Sequence, residues 1–191
     1  MASEPLRGRV ALDALASPAR QELISLLGDR PATVRELASA LGRSRQALHY
    51  HVGKLERAGL IRGASWRGTG PSRERIYAVA RPRLTVAATE AAADRPAARR
   101  AIEAMLRLTG RELDAALADP NLRRRGTTRE FCALRGKARL TRAELGRLNR
   151  LLERIEALLR SAKRGRGRRH YAITLVLTPA RTAAPAPRGR P

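Results

Sequence analysis

The stretch VRELASALGRSRQALHYHVGKLERAGLIRG, residues 34–63, decides the fold of the N-terminal half of this chain. It follows Thr33, which with Glu36 has the spacing of a capping box, a pair of side chains that serves the free backbone N–H groups at a helix start. The apolar pattern then runs to about Leu41, where Gly42 breaks it. The stretch therefore begins with a short helix that ends in a glycine turn.

A second helix follows Ser44, whose hydroxyl is suited to capping a helix N-terminus, and it ends before Gly59. Its apolar positions recur every three or four residues and form one stripe: Leu48, Val52, Leu55 and Ala58. At 3.6 residues per turn, long polar side chains occupy the opposite face: Arg45, Gln46, His49 and Tyr50. Side chains of this kind on a free helix face are suited to reading base edges in duplex DNA.

Further elements flank this pair of helices. Upstream, Ser17 and Pro18 have the types expected at the cap and first position of another helix. Downstream, LIRGASW (60–66) and RERIYAVA (73–80) have the pattern of short strands, and RGTGPS (67–72) has the composition of an exposed hairpin tip. Three helices followed by a β-hairpin predict a winged-helix domain.

These elements resemble the winged helix-turn-helix domain of ArsR-like transcription regulators, and the likeness covers about residues 11–80. LDALASPARQELISLL (12–27) is similar to the first helices of that family, and AGLI (58–61) to its entry into the wing. The resemblance implies a dimeric repressor or activator. It would place the second helix of the motif in the major groove and the wing tip beside the minor groove.

The DNA contacts expected from this arrangement fall into three groups. The helix 45–58 reads bases in the major groove through Arg45, Gln46, His49 and Tyr50, and the wing 64–77 contacts the DNA backbone or the minor groove. Contacts with the DNA backbone are assigned to Ser44, His51 and Lys54, and contacts from the wing to Arg67, Arg73 and Arg75. His51 matches a position where the family often has histidine, and we expect it to pack beside the core with a ring N–H on a phosphate or backbone group. Trp66 is expected to pack at the base of the wing.

The C-terminal half has a separate pattern. The apolar spacing from 96 to 117 predicts a helix, and FCALRGKARL (131–140) and YAITLVL (171–177) are candidate strands. Thr141 and Glu144 repeat the capping box and open a helix whose apolar residues keep coiled-coil spacing: Leu145, Leu148, Leu152, Ile155 and Leu159. This stripe predicts a homodimer. Packing of the stripe on its own domain remains the alternative.

The chain is therefore predicted to be mainly α with small β (α+β), a winged helix-turn-helix domain followed by a helical dimerisation region with one or two short strands. The expected boundaries are an arm at 1–10, the DNA-binding domain at 11–85, a junction at 86–94, the dimerisation region at 95–178 and a disordered tail at 179–191. The dimerisation region leaves room for a small-molecule effector, but no residue there indicates its chemical class.

The chain of 191 residues carries 40 Lys and Arg against 17 Asp and Glu, a formal net charge of +23. This charge favours double-stranded DNA or another nucleic acid as partner. Because 37 of the 40 cations are arginine, the composition of a GC-rich genome also explains part of the excess. Two other hypotheses therefore stay open: a sequence-independent nucleic-acid coat or RNA-binding protein, and a winged helix that binds protein. A membrane-surface role is disfavoured because the helices lack Trp and Phe anchors.

Metal, cofactor and enzyme chemistry are not indicated. Some ArsR-like proteins sense metals through a Cys-Val-Cys whose matching positions here are Thr33, Val34 and Arg35, and residues 94–118, which match the family's other metal site, contain no histidine. The sequence also lacks a G-x-S-x-G motif and a Walker lysine after its glycine-rich hairpin tip. We therefore expect no metal, no cofactor and no enzymatic activity.

Cysteine usage and hydropathy indicate the compartment. Cys132 is the only cysteine, so no disulfide framework exists, and we expect a buried, inert thiol, with a redox switch beside Arg129 and Arg135 as the alternative. The start MASEPLRGRV has no apolar core of signal-peptide length, and no window approaches the roughly 18 apolar residues of a membrane span. These features predict a soluble cytoplasmic protein.

Overall fold

The computed structural model of the chain describes residues 8–80, 91–162 and 169–180. It divides into two compact units, Met1–Pro120 and Asn121–Pro191. The predicted disordered tail falls almost wholly outside the described residues, as does most of the predicted junction and of the N-terminal arm.

The first unit contains five α-helices and a three-stranded antiparallel sheet among its described residues. In chain order these are α1 (Arg9–Leu15), α2 (Pro18–Asp29), β1 (Ala32–Thr33), α3 (Val34–Leu41), α4 (Arg45–Arg57), β2 (Ile61–Arg67), β3 (Glu74–Val79) and α5 (Arg95–Ala118). The strand order is β1-β3-β2, so the hairpin of β2 and β3 is the wing and β1 borders its other side. The winged-helix prediction is confirmed. Helix α1 overlaps the stretch 12–27 that resembles the first helices of the ArsR-like family, whereas β1 is an element that the sequence did not indicate.

The predicted helix boundaries in the motif are set by the expected caps. The hydroxyl of Thr33 accepts a hydrogen bond from the backbone N–H of Glu36 at 3.2 Å, and the carboxylate of Glu36 accepts one from the N–H of Thr33 at 2.8 Å. Gly42 has a left-handed φ of 59°, which glycine adopts at little cost. Ser44 accepts from the N–H of Ala47 at 3.3 Å. The α2 helix differs, because the side chain of Ser17 makes no cap hydrogen bond.

The core of the first unit lies between the helices and the inner face of the sheet. Leu48, Val52 and Leu55 of α4 are at most 1% exposed, which confirms the apolar stripe predicted for this helix. They pack with buried residues from α1, α2, α3, the turn before β2 and the strands: Leu15, Leu23, Leu27, Leu37, Leu60, Ile61 and Tyr77. Burying such side chains contributes roughly 1.5–3 kcal/mol each, so the core fixes how α4 is presented.

Helix α5 packs on α1 and α2 within the first unit, whereas the sequence assigned it to the C-terminal dimerisation region. Its buried face is built mainly from small residues and ends in one leucine: Ala97, Ala98, Ala101, Ala104 and Leu108. Alanine lets two helix backbones approach closely, and Gln21 donates across the contact to the carbonyl of Ala101 at 2.8 Å. Arg100 adds an ion pair with Asp13 at 2.6 Å. The first unit therefore continues past residue 85 to Pro120.

The second unit contains one described helix, α6 (Arg142–Ser161), which opens with the predicted capping box of Thr141 and Glu144. The candidate strands at 131–140 and 171–177 are not formed, and both segments lack regular secondary structure. A strand forms only where a neighbouring strand continues a ladder of backbone hydrogen bonds, and no such ladder forms at either of these two segments. The side chain of Cys132 is exposed, contrary to the expected buried thiol.

Glu130 joins the two irregular segments of this unit. Its carboxylate accepts hydrogen bonds from the guanidinium groups of Arg123 at 3.1 Å and Arg169 at 2.9 Å, and from the hydroxyl of Tyr171 at 2.9 Å. Hydrogen bonds to the charged form, the backbone N–H of Arg123 foremost, lower the pKa of Glu130 to about 2. The carboxylate stays ionised at physiological pH and ties residues 123–130 to residues 169–171.

Candidate nucleic-acid interface

The exposed face of α4 carries every residue assigned to base reading. Arg45, Gln46, His49 and Tyr50 are all exposed, and Tyr50 keeps 58% of its surface free. The opposite face of the helix is held by Leu48, which is fully buried. The four polar side chains therefore extend from a rigidly seated helix.

The residues assigned to the DNA backbone lie on or beside this face. Ser44 is exposed at the helix N-terminus, with its hydroxyl on the N–H of Ala47. The ammonium of Lys54 lies 5.7 Å from the ring centroid of Tyr50, a cation–π contact between residues one turn apart. Lys54 and Tyr50 thus form one positively charged surface feature.

His51 lies at the edge of the core, half-buried, and its Nδ1 has no hydrogen-bond partner among the described residues. Burial lowers the pKa of His51, and the nearby positive charges of Arg20 and Arg43 lower it further. Both effects favour the neutral form of the ring. In its neutral form the ring adds no charge to this region.

Two of the three wing arginines are bound to carboxylates of their own domain. Arg67 pairs with Glu36 at 2.9 Å, and Arg75 pairs with Glu56 at 2.8 Å. The guanidinium of Arg75 also lies over the Tyr77 ring, 5.3 Å from its centroid. A Cβ at Gly63 would overlap this guanidinium, so the glycine leaves the space that Arg75 fills.

The third wing arginine, Arg73, stacks over the ring of Trp66, with its guanidinium carbon 4.6 Å from the centroid. Trp66 is 54% exposed, so it does not pack at the wing base as the sequence suggested. Stacking on an aromatic face leaves the edge N–H groups of an arginine free to donate. Arg73 and Trp66 therefore present a cationic, flat surface on the wing.

Sequence reasoning missed the carboxylates that organise the cations of this surface. Glu36 lies 31 positions from Arg67, and Glu56 lies 19 positions from Arg75. Separations of this size carry no local signal in a single sequence. Arg43, next to Ser44, is likewise held by Glu22 of α2 at 3.0 Å.

The described ranges 8–80, 91–162 and 169–180 hold neither a metal-ligand cluster nor a membrane-spanning helix. Within them, no group of three or more His, Cys, Asp or Glu side chains is placed to hold a metal ion. None of the helices in these ranges is both long enough and apolar enough to span a membrane.

Comparison with known proteins agrees with the fold. Residues 15–64 match the model of a helix-turn-helix domain. A double mutant of ZitR from Lactococcus lactis is a similar solved structure, with 15% identity over 74% of this chain and 73% of that chain, but its TM-score of 0.30 is too low to support any functional argument. None of the curated proteins matches. Residues 15–64 thus form a helix-turn-helix domain, a DNA-binding architecture that the β2–β3 hairpin makes a winged one.

Proposed function

We propose that this protein is a sequence-specific transcription regulator, a homodimeric cytoplasmic repressor whose α4 helix reads the major groove of double-stranded DNA. The observation that carries the proposal is the two-sided α4 helix, fully buried at Leu48 and Leu55 and exposed at Arg45, Gln46 and His49. Arginine makes bidentate contacts with guanine and glutamine with adenine, and each good pair discriminates by roughly 1–3 kcal/mol. Tyr50 completes the reading face.

The DNA backbone would be held from both sides of α4. Ser44 presents the N-terminus of the helix, where free N–H groups favour a phosphate, and Lys54 supplies a charge. Among the wing residues, Arg73 is free of carboxylates in the described structure and is the first expected contact. Arg67 and Arg75 reach a phosphate only by exchanging the carboxylates of Glu36 and Glu56 for it.

The reading face is tested with duplex DNA from the region upstream of the gene and a scrambled duplex of equal length. The variants Arg45→Ala and Gln46→Ala should lower the preference for the upstream duplex, by about 1–3 kcal/mol for each lost base pair contact. Arg57→Ala is the matched control, since Arg57 is on the same helix but its Nε donates to the Gly53 carbonyl at 3.2 Å. Unchanged preference in both reading-face variants would contradict the proposal. Repression is tested by expressing the protein with a reporter fused to the same region.

Dimerisation through α6 is supported by the incomplete core of the second unit. No described hydrophobic side chain in residues 121–162 and 169–180 is buried. The predicted stripe is only partly covered, with Leu145 40% exposed and the others half-buried: Leu148, Leu152, Ile155 and Leu159. A second copy packed along this stripe would remove it from water.

Helix α5 offers another apolar stripe for the same homodimer. Its exposed leucines lie opposite its buried alanines and keep 39–49% of their surface free: Leu106, Leu113 and Leu117. In an antiparallel pairing centred on Gly110, residue 106 lies opposite residue 114 of a second copy, so Leu106 would lie next to the Leu113 of that copy. The same register brings Arg107 near Asp114 of the second copy, and neither has an ion-pair partner within the described part of the chain.

Sedimentation equilibrium separates the two stripes. The variant Leu148→Glu/Leu152→Glu places charges in the α6 stripe, and Leu106→Glu/Leu113→Glu places them in the α5 stripe. Each is expected to shift the dimer toward monomer, and the stripe with the larger shift is the main interface. Circular dichroism shows whether each variant keeps its helices. A folded wild-type monomer at micromolar concentration would contradict the dimer.

A sequence-independent nucleic-acid-binding protein is the second candidate, favoured by the net charge of +23. Binding through phosphates alone weakens with salt to the same degree on every sequence. The affinity ratio between the upstream and scrambled duplexes separates the candidates. A ratio near one at every salt concentration favours this second candidate.

A further inference from the structure

The positive charge of this protein is concentrated outside its helix-turn-helix domain. Residues 121–191 hold 20 of the 40 cations but only 4 of the 17 acidic residues. This unit of 71 residues therefore carries a net charge of +16, against +7 on the first 120 residues. A GC-rich genome biases both halves of one chain alike, so it does not account for the difference between them.

Within this unit, α6 arranges part of the charge on one face. Arg147, Arg150 and Arg154 follow a three-four spacing and lie on the side opposite the apolar stripe. All three are exposed, and none has an ion-pair partner among the described residues. Two of the four acidic residues of this unit are engaged in other contacts. Glu130 binds Arg123 and Arg169, and Glu144 caps α6.

We infer that α6 binds the phosphate backbone of duplex DNA through Arg147, Arg150 and Arg154, as a second and sequence-independent contact in addition to those of the helix-turn-helix domain. The three Cα positions span about 10 Å at a rise of about 1.5 Å per residue. Duplex DNA carries one negative charge per about 1.7 Å of its axis, so several phosphates fall within that span. Long arginines on a straight helix face fit such an array.

Duplex DNA is the expected partner of this arginine face, because the same chain holds a DNA-binding domain. That domain brings the duplex to a high local concentration. The inference rests on the proposed function only in taking duplex DNA as the partner. It does not need base reading by α4. A role for the stripe in binding single-stranded RNA is an outcome of the test below.

The test compares the full-length protein with Arg147→Gln/Arg150→Gln/Arg154→Gln on the upstream duplex, a scrambled duplex and a single-stranded RNA of equal length. Glutamine keeps helix propensity and removes only the charge. The expected result is an equal loss of affinity on both duplexes. The slope of log K against log salt should fall in magnitude by about 2–3, near 0.9 for each lost phosphate contact. Arg147→Lys/Arg150→Lys/Arg154→Lys is the matched control and should keep most of the slope.

Three outcomes would overturn the inference: an unchanged salt slope on both duplexes, a loss confined to the upstream duplex, or a loss on the RNA alone. As a control, sedimentation of the glutamine variant should give the oligomeric state of the wild type, because the mutated face is opposite the apolar stripe. Arg45→Ala measured on the same duplexes reports on the proposed function separately. It changes the ratio between the two duplexes, whereas the α6 variant changes both affinities together.

Discussion

Arg67, the last residue of the first wing strand, donates to the same Glu36 carboxylate that caps α3, with Nη1 and Oε1 2.9 Å apart. Arg30 donates to that oxygen as well, at 3.1 Å. One carboxylate therefore fixes the start of a helix of the motif and the end of a wing strand. The orientation of the wing relative to the motif depends partly on this contact.

Substitutions of Glu36 should separate its two roles. Glu36→Gln keeps a side chain able to complete the capping box but removes the charge that holds Arg67, so we expect a loss of less than about 1 kcal/mol in unfolding free energy. Glu36→Ala removes both the capping side chain and the charge, so it should lower the unfolding free energy by roughly 1 kcal/mol more than Glu36→Gln does. Urea denaturation measures the difference. Equal stability of the two variants would show that the capping hydrogen bond contributes nothing.

The stability supplied by Glu36 should depend on pH in a defined direction. The backbone hydrogen bond from Thr33, followed by the hydrogen bonds from Arg67 and Arg30, lowers the pKa of Glu36 to about 2. A lowered folded-state pKa gives stability that is complete above the unfolded value of about 4.3 and is lost as the pH falls toward 2. The stability gap between wild type and Glu36→Gln should narrow over that window. A gap that stays constant from pH 6 to pH 2 would contradict the assignment.

Substitutions on the buried face of α4 should lower the stability of the protein far more than substitutions on its exposed face. Leu48→Ala removes a fully buried side chain and should cost about 2–5 kcal/mol. His49→Ala, at the adjacent exposed position, should change stability by less than about 0.5 kcal/mol while altering DNA binding. Chemical denaturation and DNA titration of both variants make the comparison. Similar losses of stability in the Leu48→Ala and His49→Ala variants would contradict the burial of Leu48 beneath α4.

Releasing Arg75 from Glu56 should strengthen binding to the DNA backbone. Glu56→Gln removes the carboxylate that holds Arg75 at 2.8 Å and one negative charge near the wing. We expect a higher affinity for all duplexes and a salt slope larger in magnitude by about 1. Glu103→Gln, on α5, is the charge-matched control. The same gain in the control would assign the effect to net charge alone.

The single tryptophan reports on the wing. Trp66 is 54% exposed beneath Arg73, so its fluorescence should be quenched readily by acrylamide in the free protein. Binding of duplex DNA should protect it if the wing approaches the duplex. Arg73→Gln should reduce both the protection and the affinity. Full quenching of Trp66 in a saturated complex would place the wing away from the DNA.

Signals between residues close together in the sequence determined most of the helix-turn-helix motif. The capping pair Thr33 and Glu36, the cap Ser44 and the glycine turn at Gly42 are signals within a few residues of each other, and the structure contains each of them. The period of Leu48, Val52 and Leu55 was enough to separate the buried face of α4 from its exposed face. Such features depend on backbone geometry that neighbouring residues alone decide.

Only the tertiary structure decided which distant groups meet. It placed α5 on α1 and α2 through alanines whose small size gives little sequence signal, and it bound Arg67 and Arg75 to Glu36 and Glu56. It also left the segments 131–140 and 171–177 without regular secondary structure, because alternation predicts a strand but cannot supply the chain that pairs with it. Contacts across many residues follow from packing in three dimensions, and one sequence read in order does not contain their geometry.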